Sequence, residues 1–273
     1  MKVIKYWYPK NFSTNLSENC FFLLNKEFSF VFKEDDPDYL IAPYSMCCNL
    51  NCYKTFIEMK LKNPSAVCIG FTTEAIYPDL NIFDYAICFD KNYVFSDRVA
   101  TIPILDSFYN TPISLLSNFR ESVKDILKQK KRFCSFIYSN PDAHPRRDEL
   151  FYCLSKFSKV DSLGKHLNNY KIENTRENVN WFDISIKLKS EYKFSIAAEN
   201  GSFQGYTTEK LCSSYLAYSI PIYWGNNLIE EIVNPKAIIN ANNLSNQELL
   251  ARIKEIDEND DLWCDIVSQP LFT

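Results

Sequence analysis

Short apolar runs separated by polar segments mark the N-terminal part of the chain, at Val3 to Trp7, Phe28 to Phe32, Tyr39 to Ala42, Ala66 to Phe71 and Tyr85 to Phe89. Each has the length and the β-branched or aromatic content of a buried strand, and helical periodicity is predicted between them at Leu16 to Leu24 and Cys52 to Lys60. Strands alternating with helices predict a largely parallel sheet covered on both faces. The pattern changes from Leu105 to Lys131, where a polar stretch around Thr111 and Pro112 leads into a predicted helix, Glu121 to Lys130, ending in the basic run Lys128 to Arg132. A second alternation follows. Strands are predicted at Phe133 to Tyr138, Phe194 to Ala198, Ile220 to Trp224 and Ile238 to Ile239, and helices at Pro145 to Phe157 and Thr207 to Tyr218. Ser245 followed by Glu248 is a capping-box signal for a last helix carrying Leu249, Leu250, Ile253 and Ile256. The expected fold is α/β in two domains, residues 1–110 and 132–273, with 111–131 as a linker helix.

Composition supports such cores: the 273 residues are 46% hydrophobic and 15% aromatic. The net charge of −4, without a long basic run, argues against nucleic acid as the main partner and against a polybasic membrane anchor. Ten cysteines are too few for a disulfide scaffold of this length, and Cys47, Cys48 and Cys52 lack a second half at zinc-ligand spacing, which points to a reducing cytosol. The two histidines, His144 and His166, exclude a histidine-rich metal site, and His166 is expected on a surface or loop. No segment reads as a signal peptide or approaches the ~20 apolar residues of a membrane span, so the expectation is a soluble chain. Glycosylation sequons at Asn11, Asn15, Asn200 and Asn243 read as chance in an asparagine-rich sequence. With five glycines in all, neither G-x-G-x-x-G nor a P-loop occurs, which speaks against nicotinamide oxidoreductases and P-loop kinases.

The chemistry gathers in three turns. The first lies between the strand Phe194 to Ala198 and the helix predicted from Thr207, its N-cap, and collects Asn200, Tyr206, Glu209 and Lys210 at a helix entrance. Unpaired N–H groups and a first-turn lysine there suit an anionic, hydroxyl-rich ligand. The second, Asn140 to Arg147, enters a helix at Pro145 and again places cations at a helix start, so two turns of one domain can converge on a diphosphate. The third is Phe71-Thr72-Thr73-Glu74, a carboxylate just after a strand. Asp79, Asp84 and Asp90 are formal metal-ligand candidates, and Asp36-Pro37-Asp38 satisfies D-x-D, but the latter precedes its apolar run and reads as a turn.

Glu199, Asn200, Tyr206, Thr208, Glu209, Lys210, Leu211 and Pro221 to Gly225 together resemble the donor-binding motif of the α1,3/4-fucosyltransferases, and the resemblance continues into Asn234-Pro235-Lys236. Ser139-Asn140-Pro141, Arg147, Phe151-Tyr152 and Leu154 are similar to a second family segment, which favours Arg147 over Arg146 as the phosphate contact. Pro78 to Asp90 resembles the family block P-x-x-N-x-F-D-Y-A-I-x-F-D, and the bacterial members' proposed general base maps onto Glu74, although Thr73 and Ala75 replace their flanking Gly and Asn.

The resemblance implies a GT-B fold, two Rossmann-like domains facing each other across a cleft, and an inverting, GDP-fucose-dependent transferase. Glu74 is then the base, and Arg147, Asn200, Tyr206, Glu209 and Lys210 bind the nucleotide sugar, with the roles of Asn200 and Glu209 undivided. No cofactor and no essential divalent metal are implied. The acceptor is expected to be an oligosaccharide or glycolipid hydroxyl, O3 of N-acetylglucosamine or glucose, in Lewis-type glycan or lipopolysaccharide synthesis. Location is expected in the cytoplasm or peripherally on the inner face of a bacterial membrane, with the oligomeric state open. Rival readings are a GT-B transferase of different donor or acceptor and an inactive sugar-binding homologue.

Overall fold

The computed structural model describes residues 2–9, 28–44, 50–72, 74–93, 96–101, 116–120, 122–172 and 181–272. The chain forms two compact units, Met1–Tyr109 and Asn110–Thr273.

In the N-terminal unit the described strands are β1 (Lys2–Trp7), β2 (Phe28–Phe32), β3 (Tyr39–Pro43), β4 (Val67–Phe71), β5 (Tyr85–Cys88) and β6 (Val99–Thr101), with α1 (Leu50–Lys62) crossing from β3 to β4. They pair in parallel in the order β2-β1-β3-β4-β5-β6. Leu40, Ala42, Phe56, Cys68 and Phe83 form the dry centre of this unit. The predicted helix at Leu16 to Leu24 lies outside the described residues. Asp36-Pro37-Asp38 is a turn: Asp36 has φ 52°, and Lys5 bonds both flanking carboxylates, through Nζ to Asp36 (2.7 Å) and through N–H to Asp38 (2.9 Å).

The C-terminal unit holds β7 (Arg132–Phe136), β8 (Val160–Ser162), β9 (Tyr192–Ala198), β10 (Ile220–Trp224) and β11 (Ile239–Asn240), parallel in the order β11-β10-β9-β7-β8. Its helices are α2 (Val123–Leu127), α3 (Arg146–Ser155), α4 (Trp181–Lys189), α5 (Glu209–Leu216), α6 (Asn246–Asp257) and α7 (Asp260–Ser268). The helix predicted over Glu121 to Lys130 is thus five residues long, and its Val123, Ile126 and Leu127 pack on the C-terminal core. Ser245 and Glu248 form the full capping box, side chain to backbone in both directions.

That box does not open the last helix. The acidic stretch beyond it forms α7, capped by Asn259, with Trp263, Ile266 and Val267 buried at i, i+3 and i+4 and Asp260 and Asp261 at its dipole-positive end. Helix α4 is a second element without a counterpart in the sequence reading. Its apolar residues alternate at Phe182, Ile184, Ile186 and Leu188, a period that suits a strand as well as a helix, and tertiary packing selects the helix with Phe182, Ser185 and Lys189 inward. Both units are parallel α/β sheets, Rossmann-like, and the fold class is α/β.

Candidate active site

The carboxyl ends of β7 and β9, adjacent strands of one sheet, carry the two turns singled out in the C-terminal sequence. Asn200 joins them. Its carbonyl accepts the His144 N–H (2.9 Å), and its Oδ1 accepts from Arg147 Nη1 (3.3 Å). The His144 ring lies on Trp224, with centroids 4.5 Å apart, so the end of β10 supports the same turn.

Arg147 sits in the first turn of α3, only 1% exposed. Its Nη2 donates to the Asn140 carbonyl, its guanidinium lies 4.4 Å from the Tyr138 ring centroid, and its Nε is buried without a hydrogen-bond partner. Burial lowers its pKa, while Tyr138 and Asp148 oppose the shift. Pro145 is the N-cap of α3 rather than its first helical residue. Arg146 is held elsewhere, by Asn246 Oδ1 (2.5 Å), the Leu244 carbonyl (3.0 Å) and Glu149, so it ties α3 to the start of α6. Leu154, seven residues beyond Arg147, is fully buried in the core.

Tyr138 links the two cations. Its hydroxyl accepts the Ala198 N–H (2.7 Å) and reaches the carbonyls of Ile196 (2.9 Å) and Ala198 (3.1 Å), pinning the end of β7 to β9. Burial pushes its pKa up, and both Lys210 and Arg147 act on it electrostatically in the opposite sense.

Lys210 lies in the first turn of α5, against two carboxylates. Its Nζ is 3.2 Å from Glu199 Oε2 and 3.6 Å from Glu209 Oε1, and it donates to Thr208 Oγ1 at 2.8 Å. Burial alone would lower its pKa, but Glu199 and Glu209 outweigh this and hold it well above the usual lysine value. Glu209 shows the reciprocal effect: burial would raise it, yet Lys210, Thr208 and Lys189 hold it below the ordinary carboxylate value. Beneath them, Lys189 of α4 donates to Ser213 Oγ (2.6 Å), and burial brings its pKa down to about 7 against the pull of Glu209.

The helix begins one residue later than predicted. Thr208 is the N-cap of α5, but its side chain makes no capping bond and is turned to Glu199 instead, while Thr207 Oγ1 meets the Tyr223 hydroxyl (3.2 Å) and receives Asn226 Nδ2 (3.3 Å). Tyr206 is 1% exposed and neighbours Lys210 electrostatically. Tyr223 and Trp224, open between core and ligand in the sequence, are buried. Gly205 has φ 78° and bonds Asn226 Oδ1 (3.0 Å), so the turn needs its glycine.

Glu199 stands in the same motif as Asn200 and Lys210, but nothing in the sequence alone gives it a role. It is wholly buried, and a buried charged residue is exceptional unless paired. The signal available in sequence was its place just after a strand of apolar residues.

In the N-terminal unit, Glu74 is exposed in the turn after β4. Its carbonyl accepts from Thr72 Oγ1 (2.8 Å) and from the Ile76 N–H (2.7 Å), so the turn is braced through the backbone. Asp90, after β5, receives the Tyr77 hydroxyl (2.7 Å), and Tyr77 stacks on Tyr93 with centroids 4.7 Å apart, tying the two neighbouring turns together. The other aspartates are equally local: Asp84 accepts the Cys68 N–H (2.8 Å) and Asp79 caps its own turn through Asn81. Among the described residues, no three His, Cys, Asp or Glu side chains are placed to share a metal ion. His166, expected on a surface or loop, lies in a turn, partly buried, with Nε2 2.9 Å from Asp148. Cys52, Cys68, Cys88, Cys134, Cys153, Cys212 and Cys264 are free thiols, and among the described residues no helix is long and apolar enough to cross a membrane.

Two parallel α/β units, one of which presents a buried and a partly buried cation at a pair of helix starts, are the parts of which GT-B glycosyltransferases are built, although a fold by itself assigns no function. Solved α1,3-fucosyltransferase structures, one of them with GDP-fucose, match with TM-scores of 0.77 and 0.73 at 23% identity, over the whole of this chain and 83% and 84% of theirs. The family model for the C-terminal part of glycosyltransferase family 10 (fucosyltransferase) matches residues 127–266, and the chain belongs to that family. Protein R654 of Acanthamoeba polyphaga mimivirus, which bears a fucosyltransferase name, is 35% identical over 79% of this chain and 35% of its own length. An α-(1,3)-fucosyltransferase of Helicobacter pylori is 30% identical over 75% of this chain and 47% of its own. Other relatives bear α-(1,4)-fucosyltransferase and protein O-fucosyltransferase names. The chain thus spans about a third to three fifths of the length of these curated relatives.

Proposed function

We propose that this protein transfers fucose from GDP-fucose to a hydroxyl of an oligosaccharide or glycolipid, O3 of N-acetylglucosamine or glucose, with inversion at the anomeric carbon. The observation that carries the reading is the junction at Asn200, where the turns bearing Arg147 and Lys210 meet around Tyr138. A diphosphate is the ligand whose charge and size suit two cations held in this way.

The acceptor oxygen attacks the fucose anomeric carbon as the bond from that carbon to the β-phosphate oxygen breaks, and the acceptor proton passes to Glu74. Base assistance of this kind is worth ~100-fold to ~10,000-fold. Negative charge gathers on the departing GDP, and Arg147 and Lys210 stabilise it most because neighbouring groups already hold them in place. They take the part that a divalent metal plays in metal-dependent transferases. Asn200 and Glu209 bind ribose or fucose hydroxyls, and Tyr206 packs beside the nucleotide sugar. The site of action in this reading is the cytoplasm or, peripherally, the inner face of a bacterial membrane.

The test is incubation with GDP-fucose and a panel of galactose- and N-acetylglucosamine-containing glycans, with a peptide acceptor included, in the presence and absence of EDTA. Transfer to a glycan that survives EDTA is expected. Absence of both transfer and slow GDP-fucose hydrolysis would sink the reading, and transfer confined to the peptide would replace its acceptor.

A further inference from the structure

Lys210 does not reach its position alone. Glu199 follows directly on β9, its N–H bonds the Trp224 carbonyl (2.8 Å), and its carboxylate is divided between two tasks. Oε1 accepts the Thr208 N–H (2.8 Å), while Oε2 accepts the Thr208 hydroxyl (2.7 Å) and the Lys210 ammonium (3.2 Å). Thr208 Oγ1 in turn accepts from Lys210 Nζ (2.8 Å), which closes a triangle of carboxylate, hydroxyl and ammonium.

Two further features show that the carboxylate is built in. A Cβ on Gly225, where φ is 151°, would lie 2.6 Å from Glu199 Cγ, so the backbone at the end of β10 is shaped around this side chain. And Thr208, placed as an N-cap, spends its hydroxyl on Glu199 rather than on its own helix, while the Glu209 carboxylate meets its own N–H and the Leu211 N–H bonds the Thr208 carbonyl (3.3 Å).

We propose that Glu199 is a positioning residue for the nucleotide sugar: directly and through the Thr208 hydroxyl it aims the Lys210 ammonium, so that the cation at the start of α5 faces the diphosphate. This rests on the reading of Lys210 as a donor-binding cation. Glu199 itself touches no substrate. Its effect on turnover runs through Lys210, whose flexible stem of four methylene groups would otherwise leave the ammonium free to sample many positions.

The experiment is a double-mutant cycle in the full chain. Glu199→Gln keeps the shape of the side chain but offers Lys210 no charge; Lys210→Met removes the cation; the third protein carries both. GDP affinity, KM for GDP-fucose and kcat are measured for each, with thermal unfolding as the control for folding. Glu199→Gln is expected to lower kcat/KM by ~100-fold, the scale of an ångström-level misplacement. In the Lys210→Met background the same change is expected to add little, since residues in one network are not additive. Thr208→Ser, which keeps the hydroxyl, is expected to retain kcat/KM, and Thr208→Val to resemble Glu199→Gln. If Glu199→Gln does not fold, the Thr208 pair in the two Lys210 backgrounds carries the same cycle.

Unchanged GDP-fucose kinetics in folded Glu199→Gln, or losses that add fully in the double variant, overturn the positioning role while leaving the donor reading intact. Unchanged GDP affinity and kinetics in Lys210→Met overturn the donor reading and this inference with it.

Discussion

The turn after β9 and the turn after β4 each leave the carboxyl end of an interior strand of a parallel sheet, yet they are built in opposite ways. After β9 the charged groups are buried or partly buried and hold one another: Glu199 meets Thr208 and Lys210, Lys210 meets Glu209, and Asn200 reaches across to Arg147. After β4 the carboxylate of Glu74 is exposed, and what is fixed is the backbone beneath it, through Thr72. On the proposed function the first turn serves one nucleotide sugar and the second presents a base to the acceptor, and a site for a single nucleotide can be locked in advance. A turn that presents a base to a variable acceptor needs its backbone fixed and its side chain accessible.

The largest effect that would break this comparison is Glu74→Gln, expected to lower kcat by ~100-fold to ~10,000-fold while GDP affinity stays unchanged. Normal transfer by this variant, measured by release of GDP in the presence of acceptor, removes Glu74 from the base role. Lys210→Ala is expected to cost ~100-fold to ~1,000-fold in kcat/KM and to weaken GDP binding as well, which a calorimetric titration separates from the Glu74 effect.

Stability should divide the two turns in the same way. Gly225→Ala forces a methyl group against Glu199 and is expected to cost ~1–3 kcal/mol, with a loss of GDP affinity. Thr72→Val removes the hydroxyl that reaches the carbonyls of Glu74 and Ile76 and is expected to cost ~1 kcal/mol, with kcat reduced and GDP affinity retained. Denaturant midpoints together with GDP titrations check both.

The remaining effect is one of pH. Lys189, brought down to about 7 by burial, is neutral in the folded protein over a range where the unfolded chain keeps it charged, up to the ordinary lysine value of ~10.4. The unfolded state therefore binds more protons between these values, and stability gains with rising pH across that window from this group. Lys189→Met removes the contribution. The difference in denaturant midpoint between pH 7 and pH 9 is expected to be smaller in the variant than in the parent, and an identical pH dependence would show that Lys189 stays charged, held by Glu209.

Much of the framework is legible in the linear pattern. The apolar runs that became β1, β2, β3, β4, β5, β7, β9 and β10 are short, β-branched or aromatic and bounded by polar turns, so local composition states their conformation. The Ser245 capping box is legible for the same reason, since donor and acceptor lie three residues apart. Strand β8 and helix α4 are not: one is a three-residue segment, Val-Asp-Ser, whose burial comes from its neighbours, and the other alternates with a period of two. Helix α7 hides behind its acids, because Asp260, Asp261 and Asp265 mask the spacing of Trp263, Ile266 and Val267.

The site divides along the same line. Sequence by itself determined which residue types stand at the two helix starts and after β4, and the spacing of Glu199 to Lys210 and of Arg147 to Leu154 pointed to the family. Only the tertiary structure decided what those side chains do to one another. Arg146 and Arg147 are neighbours in the chain, but one is tied to α6 and the other buried against Tyr138, because α3 turns successive residues to different faces. Thr208 is an N-cap by position that does not cap, and Glu199 is a carboxylate by identity whose role depends on a glycine twenty-six residues away. Pairings of that range follow from strand order and register, and no local pattern of residues encodes them.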